Sequence, residues 1–251
     1  IIGNGPSRKG VDLSKLPGKT FGCNALYRDF KPDYLLSGDA GIIKEICESD
    51  YPKDHWCIFP DWSPIPKDYK DMMLSSFQGY EIHESDTERF DHVQIFGNEY
   101  EDLGKQVHIL GVDPKWRIIN MAGTDDDPEF AVNFFAGSNA MAQASIMGFE
   151  EVVLLGFDSI WNFNPSVYQN IYAGTDCYAK ENADLARPDN PDETFNWILQ
   201  HKNTFNKFKD IQFYKVNPNE DSPINTKIDE WNECENLQYI SLQDLDKRFK
   251  I

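Results

Sequence analysis

The sequence predicts an α/β fold, Rossmann-like, with a mainly parallel sheet covered by helices on both faces. Three observations predict it. Short apolar runs recur along the chain without strict alternation, as strands buried on both faces do. Helical stretches stand between them, which favours parallel pairing through crossovers. A chain of 251 residues is also long enough to bury one continuous core, so a single domain over 1–251 is expected.

In chain order, Ile1-Ile2 reads as the end of a first strand because Gly3-Asn4-Gly5 follows it. Residues 19–23, 33–36 and 56–59 are the next apolar runs, with a helix over 40–48 between the last two. A further strand is expected at 116–120. The clearest unit follows: Gly137-Ser138-Asn139, a helix over 138–147, then Gly148 and a strand over 151–155. Ser138 is suited to N-cap that helix and Gly148 to C-cap it. Its small residues Ala140, Ala142, Ala144 and Ser145 allow close approach to a sheet, with Met141, Ile146 and Met147 filling gaps, so it belongs in the centre of the domain.

From 161 to 191 the composition turns to Asn, Tyr, Asp, Pro and Gly without an apolar period. Segments this long and irregular are commonly functional. Trp161, Phe163, Tyr168, Tyr172 and Tyr178 make it too aromatic for a solvated linker, and it is expected to hang over the carboxyl edge of the sheet as a lid. A helix over 192–209, a strand over 211–216, an acidic stretch over 219–236 and a final strand and helix over 238–250 complete the chain. The spacing of Phe195, Ile198, Leu199, Lys202 and Phe205 puts His201 at the edge of that helix's buried face, in a structural role.

Composition narrows the function. Hydrophobic residues make up 40% and charged ones 26%, the balance of a globular protein. The formal charge is −18, a field that repels nucleic acid and anionic membrane surfaces. The sequence contains neither a spanning apolar run nor a charged-then-apolar leader, so a cytoplasmic location is expected. The five cysteines are scattered, with no CxxC pair, and are expected to be reduced. Exposed aromatics would allow an oligomer.

Four features carry chemistry. The first is Gly3-Asn4-Gly5-Pro6-Ser7, a glycine turn where open α/β sheets bind ligands. It is not the dinucleotide fingerprint, since Arg8 stands where the third glycine would be, and Gly18-Lys19-Thr20 is no phosphate loop, since Leu13 replaces its first glycine. Its glycines would let a ligand approach the backbone, Asn4 offers an amide, Ser7 a hydroxyl, and Arg8 and Lys9 positive charge. The second feature is the pair of strand-end tips carrying Asn24 and Asp39, which would meet Asn4 at one edge and hold a base and ribose. The third is the helix start at Gly137, Ser138 and Asn139, whose N–H groups and dipole favour a phosphate. The fourth is Asp158, expected to be exposed just past the strand VVLLGF.

With GNGPS at the start, Cys23-Asn24 after the second strand, and a small-residue helix running into GFEEVVLLGFD, the chain resembles bacterial lipooligosaccharide sialyltransferases. It is also similar to 6-hydroxymethylpterin diphosphokinase-like proteins and flagellin-modifying transferases. The resemblance covers about residues 1–40 and 135–160. It implies transfer of a sugar from a CMP-type nucleotide sugar to a glycan or small-molecule acceptor, with no cofactor required. It further implies nucleotide contacts from Asn4 and Asn24, and from the residues around Gly137. Asp39 stands where the sialyltransferases use Asn. Their tyrosine after the Gly-x-Asp strand is replaced by Ser159-Ile160-Trp161, which leaves Tyr168 and Tyr172 as the phenols able to protonate a departing phosphate. Their general-base histidine is not matched between 182 and 192, so Asp158 is the candidate base. Two alternatives remain. Asp125-Asp126-Asp127 with Asp39 and Asp158 could hold Mg²⁺ for diphosphoryl transfer, or the chain could be a catalytically degenerate nucleotide-binding or assembly module.

Overall fold

The computed structural model describes residues 1–38, 40–59, 64–65, 81–86, 91–96, 109–110, 118–120, 136–158, 170–178, 192–217 and 227–249. In chain order its strands are β1 (Phe21–Cys23), β2 (Tyr34–Leu36), β3 (Trp56–Phe59), β4 (Pro64–Ile65), β5 (Glu81–Asp86), β6 (Asp91–Phe96), β7 (Ile109–Leu110), β8 (Ile118–Asn120), β9 (Glu151–Leu154), β10 (Gln212–Asn217) and β11 (Leu237–Ser241). The α-helices are α1 (Ala40–Glu48), α2 (Ala136–Ile146), α3 (Asp192–Lys207) and α4 (Leu242–Phe249).

Ile2 is the pivot of the architecture. It bridges in parallel to Gly22 on one side and to Leu155 on the other. Its N–H donates to Phe21 O at 2.7 Å, while Gly3 N–H donates to Leu155 O at 2.8 Å. Outward from Gly22 run β1, β2, β3 and β8, all parallel, with β7 antiparallel at the far edge. Outward from Leu155 run β9, β10 and β11, also parallel. From Ile2 the chain order thus runs outward through β1, β2 and β3, comes back from β7 at the edge to β8, and resumes on the other side of Ile2 with β9.

Adjacent strand residues are buried on opposite faces. Leu35 and Cys57 belong to a cluster with Ile42, Ile43 and Ile46 of α1. Their neighbours Leu36 and Ile58 belong to another, with Ala140, Met141 and Ala144 of α2 and Phe205 of α3. Tyr214 and Val216 pack with Leu245 of α4, whereas Phe213 joins the α2 and α3 side. Helices therefore cover both faces, and β1, β2, β3 and β10 are buried almost throughout and read as apolar runs, whereas β9 and β11 each expose a residue, Glu151 and Gln238.

α2 is buried along nearly its whole length, its alanines allowing it to lie on β1, β2 and β9 and against α3. It begins at Ala136, two residues earlier than the sequence suggests, so Ser138 sits inside the first turn and is not the N-cap. Gly148 ends it as expected. With φ +85°, its N–H bonds Ser145 O at 3.1 Å while Phe149 N–H bonds Ala144 O at 3.3 Å, the paired closure of a Schellman motif. A separate antiparallel sheet, in the order β4-β6-β5, has no counterpart in the sequence expectation. β5 contains one apolar residue, Ile82, and therefore carries no apolar run.

Candidate functional site

The first turn and the turn after β9 leave neighbouring strands side by side and interlock through their backbones. Gly5 N–H donates to Gly156 O at 3.0 Å. A β-carbon on Gly3 would stand 2.6 Å from Gly156 O, and one on Gly156, whose φ is +74°, would stand 2.7 Å from Gly3 O. A side chain at either position would displace the other strand tip. What approaches the glycine backbone here is thus the β9 turn of the same chain, where the sequence suggested a ligand.

Asp158 completes this lock. Its Oδ2 accepts the Ser7 N–H at 2.9 Å and lies beside Gly5. It is 4% exposed, contrary to the expectation of an exposed carboxylate. The strand leads into a turn packed under Gly3-Asn4-Gly5, so the side chain that follows Phe157 is covered. Burial pushes its carboxyl up, opposed by the Ser7 hydrogen bonds and by the Lys215 ammonium. This enclosed carboxylate is held against the first turn by the Ser7 amide it accepts.

Arg8 and Tyr172 form the other side. Arg8 is buried, its Nε donating to Gly3 O at 2.6 Å and its Nη2 to Tyr172 Oη at 3.1 Å. The guanidinium is therefore engaged within the fold. Burial, with Asp29 acting in the same sense, pushes the Tyr172 phenol up to about 12. Residues 170–178, the described part of the 161–191 excursion, rest on this turn: Ile171 N–H donates to Asn4 O at 2.9 Å. Arg28 fastens them from below. It pairs with Glu45 while donating to Thr175 Oγ1 at 2.7 Å and to Asp176 O at 2.9 Å.

Around these contacts, several buried polar atoms have no hydrogen-bond partner among the described residues. They include Asn4 Oδ1, Ser7 Oγ, Asn24 Oδ1, Ser138 Oγ and both ring nitrogens of His201. Asn4 Nδ2 is fixed by Cys23 O at 3.1 Å, which ties the first tip to the second. Asn24 has φ +52°, a left-handed conformation that Asn tolerates. Each such atom, buried and unpaired, costs about 1–3 kcal/mol. These atoms lie where the tips after Ile2, β1 and β9 and the start of α2 come together. An unmet polar lining of that kind suits a polar ligand.

Two residues of the neighbourhood were not among the sequence's candidates. Lys215, 1% exposed on β10, sits opposite Leu154 in register, bonds Asn217 Oδ1 and faces the Asp158 charge. Burial lowers its pKa to about 8, with Asp158 acting the other way. A lone lysine inside the apolar run IQFYKV was the signal for it. His201 is 6% exposed, deeper than the edge position expected, with its ring 5.5 Å from those of both Phe157 and Trp231. Its Nε2 lies 3.6 Å from where a Gly137 β-carbon would be, beside the start of α2.

The structure thus brings together Gly3, Asn4, Gly5, Ser7, Asn24, Asp158 and Tyr172, with Gly137 joined to them through Phe157 and Ser138 and Asn139 following in α2. Asp39, Tyr168 and the run Asp125-Asp126-Asp127 lie outside the described residues. Among the described residues no group of three or more His, Cys, Asp or Glu is placed to hold a metal ion. None of their helices is long and apolar enough to cross a membrane. A cavity of about 330 Å³, lined in part by Thr20, Phe21, Ala144, Phe149, Val152 and Leu245, opens at the opposite, amino ends of β1 and β9 and is separate from these polar tips. Compared with protein-family models, with curated proteins and with solved structures, the chain matches none.

Proposed function

We propose that the chain is a Rossmann-like, nucleotide-sugar-dependent glycosyltransferase that takes a CMP-type donor and passes its sugar to a glycan or small-molecule acceptor. The observation that carries this reading is the set of unpartnered buried polar atoms at the carboxyl ends of the strands, beside the point where strand order reverses. That is where open α/β sheets take nucleotides. Asn4 and Asn24 supply amide oxygens to the base and ribose. Ser7, Ser138 and the first turn of α2 serve the phosphate, with Asn139 behind them. Asp39 follows the third tip and is assigned to the sugar or ribose. In this reading the 161–191 excursion is a lid, and Ile171 on Asn4 is its anchor. Asp158 holds the nucleotide turn through Ser7, and Tyr172 holds it through Arg8.

In the reaction the bond between the sugar and the CMP phosphate breaks while the acceptor oxygen forms the new one. The phosphate carries away the electron pair and the acceptor proton passes to a base. Tyr168 in the lid is the remaining phenol for the departing phosphate.

The test is a thermal-shift series with CMP, CDP, UDP, GDP and ATP, each with and without Mg²⁺, since a ligand that binds the native state alone raises its apparent stability. A CMP shift that does not need metal is expected, followed by turnover of a CMP-sugar. An ATP shift that requires Mg²⁺ would replace this reading with diphosphoryl transfer. CMP binding without turnover on any acceptor would leave a binding module, and no shift at all would overturn nucleotide binding.

A further inference from the structure

We propose that His201 is an oxyanion-binding residue, completing a phosphoryl site at the N-terminus of α2. The inference rests on the nucleotide reading above and deepens it, by naming the group that reads the phosphate.

The helix has 11 residues, and the N–H groups of its first turn have no partner within the helix. Their dipoles favour a negative group at that end. His201 supplies the second, independent observation. It is more than nine-tenths buried, neither ring nitrogen has a hydrogen-bond partner among the described residues, and Nε2 points to the α2 start at Gly137. The buried Ser138 Oγ on the same turn is also unpartnered.

A neutral imidazole always carries one N–H, so this ring has a donor that the described chain leaves unused. Packing does not require that donor, since its contacts with Phe157 and Trp231 are ring contacts that Phe would also make. Gly137, at the α2 start, is half-buried and brings no side chain against the ring. A β-carbon there would lie 3.1 Å from the Phe157 ring and 3.6 Å from Nε2, so a larger residue would crowd the place beside Nε2 where an oxyanion would bind.

The electrostatics select the sign of the ligand. Burial first, and then the ammonium of Lys215, disfavours an imidazolium, and the dipole at the helix N-terminus acts in the same sense. The ring therefore acts as a neutral donor, while the same positive potential draws an anion. The ligand is a phosphoryl oxyanion, either the 5′-phosphate of a nucleotide or free phosphate.

The experiment follows the ring nitrogens of ¹⁵N-histidine-labelled protein while CMP, cytidine or inorganic phosphate is added, with the His201 signals identified by their loss in His201→Phe. Calorimetry measures the same ligands on both proteins. CMP is expected to move the His201 signals and cytidine to leave them in place. His201→Phe should weaken CMP about tenfold, the loss of one hydrogen bond to a charged group, and leave cytidine unchanged. CMP binding with unmoved ring signals and equal affinity in His201→Phe would overturn the role of His201 and leave the nucleotide reading standing. Phosphate moving the ring without any CMP binding would do the reverse, and binding of neither would overturn both. Should His201→Phe fail to fold, the ring titration on the unaltered chain decides, with the signals identified in His201→Gln.

Discussion

The carboxylate of Asp158 accepts the backbone N–H of Ser7 at 2.9 Å, across 151 residues of chain. This bond makes the first strand tip and the tip after β9 one unit, since Gly3, Gly5 and Gly156 already meet backbone to backbone beneath it. Asp158→Ala leaves the Ser7 amide buried without an acceptor and Lys215 without its facing charge. A loss of about 1–3 kcal/mol in urea unfolding is expected from the amide alone, together with weaker CMP binding. Asp158→Asn keeps an acceptor oxygen and should recover part of both. Equal stability of Asp158→Ala and the parent would show that the bond does not hold the turn.

The glycine contacts make a prediction of their own. Gly3→Ala places a β-carbon 2.6 Å from a backbone oxygen, and backbone does not yield as a flexible side chain does. Gly10→Ala has a left-handed φ of +87° but open space around it. The second variant should lose about 1 kcal/mol through backbone strain, and the first clearly more. Denaturant midpoints of the two, measured side by side, separate close packing from conformational preference.

Tyr172→Phe removes the hydroxyl that accepts from Arg8 while keeping the ring in its core cluster. The expected cost is about 1 kcal/mol of stability, with CMP binding weakened modestly through the loosened turn. If the phenol instead donates to the departing phosphate, turnover of a CMP-sugar would collapse with stability nearly intact. Steady-state rates and unfolding on the same preparation tell these apart.

Stability should also depend on pH through His201. Burial, and then the Lys215 charge, lower its pKa from 6.5 to about 3 in the folded chain. Between those values the unfolded chain binds a proton that the native chain does not, so stability rises with pH through the window and falls as acid is added. His201→Phe removes this contribution and should flatten the acid limb from pH 6.5 downward. Unfolding free energies at a series of pH values check it, and parallel curves for the two proteins would mean that the ring titrates normally.

Arg28 ties residues 170–178 to the body of the fold through Thr175 and Asp176 while pairing with Glu45. Arg28→Met should speed hydrogen exchange at the Ile171 amide, which is bonded to Asn4 O, and leave the amides of β1 and β2 protected. Global stability should change by only about 1 kcal/mol, as for other partly exposed pairs.

Much of the element order is local and was legible in the chain itself. The helix over 40–48 and the strand over 56–59 coincide with α1 and β3, and β9, β10 and α3 differ from expectation by no more than two residues at either end. Apolar runs, small-residue helices and Gly148 act through near neighbours, so a linear pattern is enough to place them. The antiparallel pair of β5 and β6 escaped because β5 offers no apolar run, and its six positions are matched to those of β6 by pairing alone.

For the site, the sequence determined the tips: Gly3, Asn4, Gly5, Ser7, Asn24 and the start of α2. Only the tertiary structure decided what each side chain does. Asp158 faces Ser7 instead of solvent, Gly3 makes room for Gly156, Arg8 reaches Tyr172 across 164 residues, and His201 turns its unpartnered ring toward Gly137. Those outcomes depend on which strand tips become neighbours when chain order reverses at Ile2. Contacts between residues so far apart leave no periodic trace in the sequence, because they are selected by sheet pairing and burial rather than by local conformation.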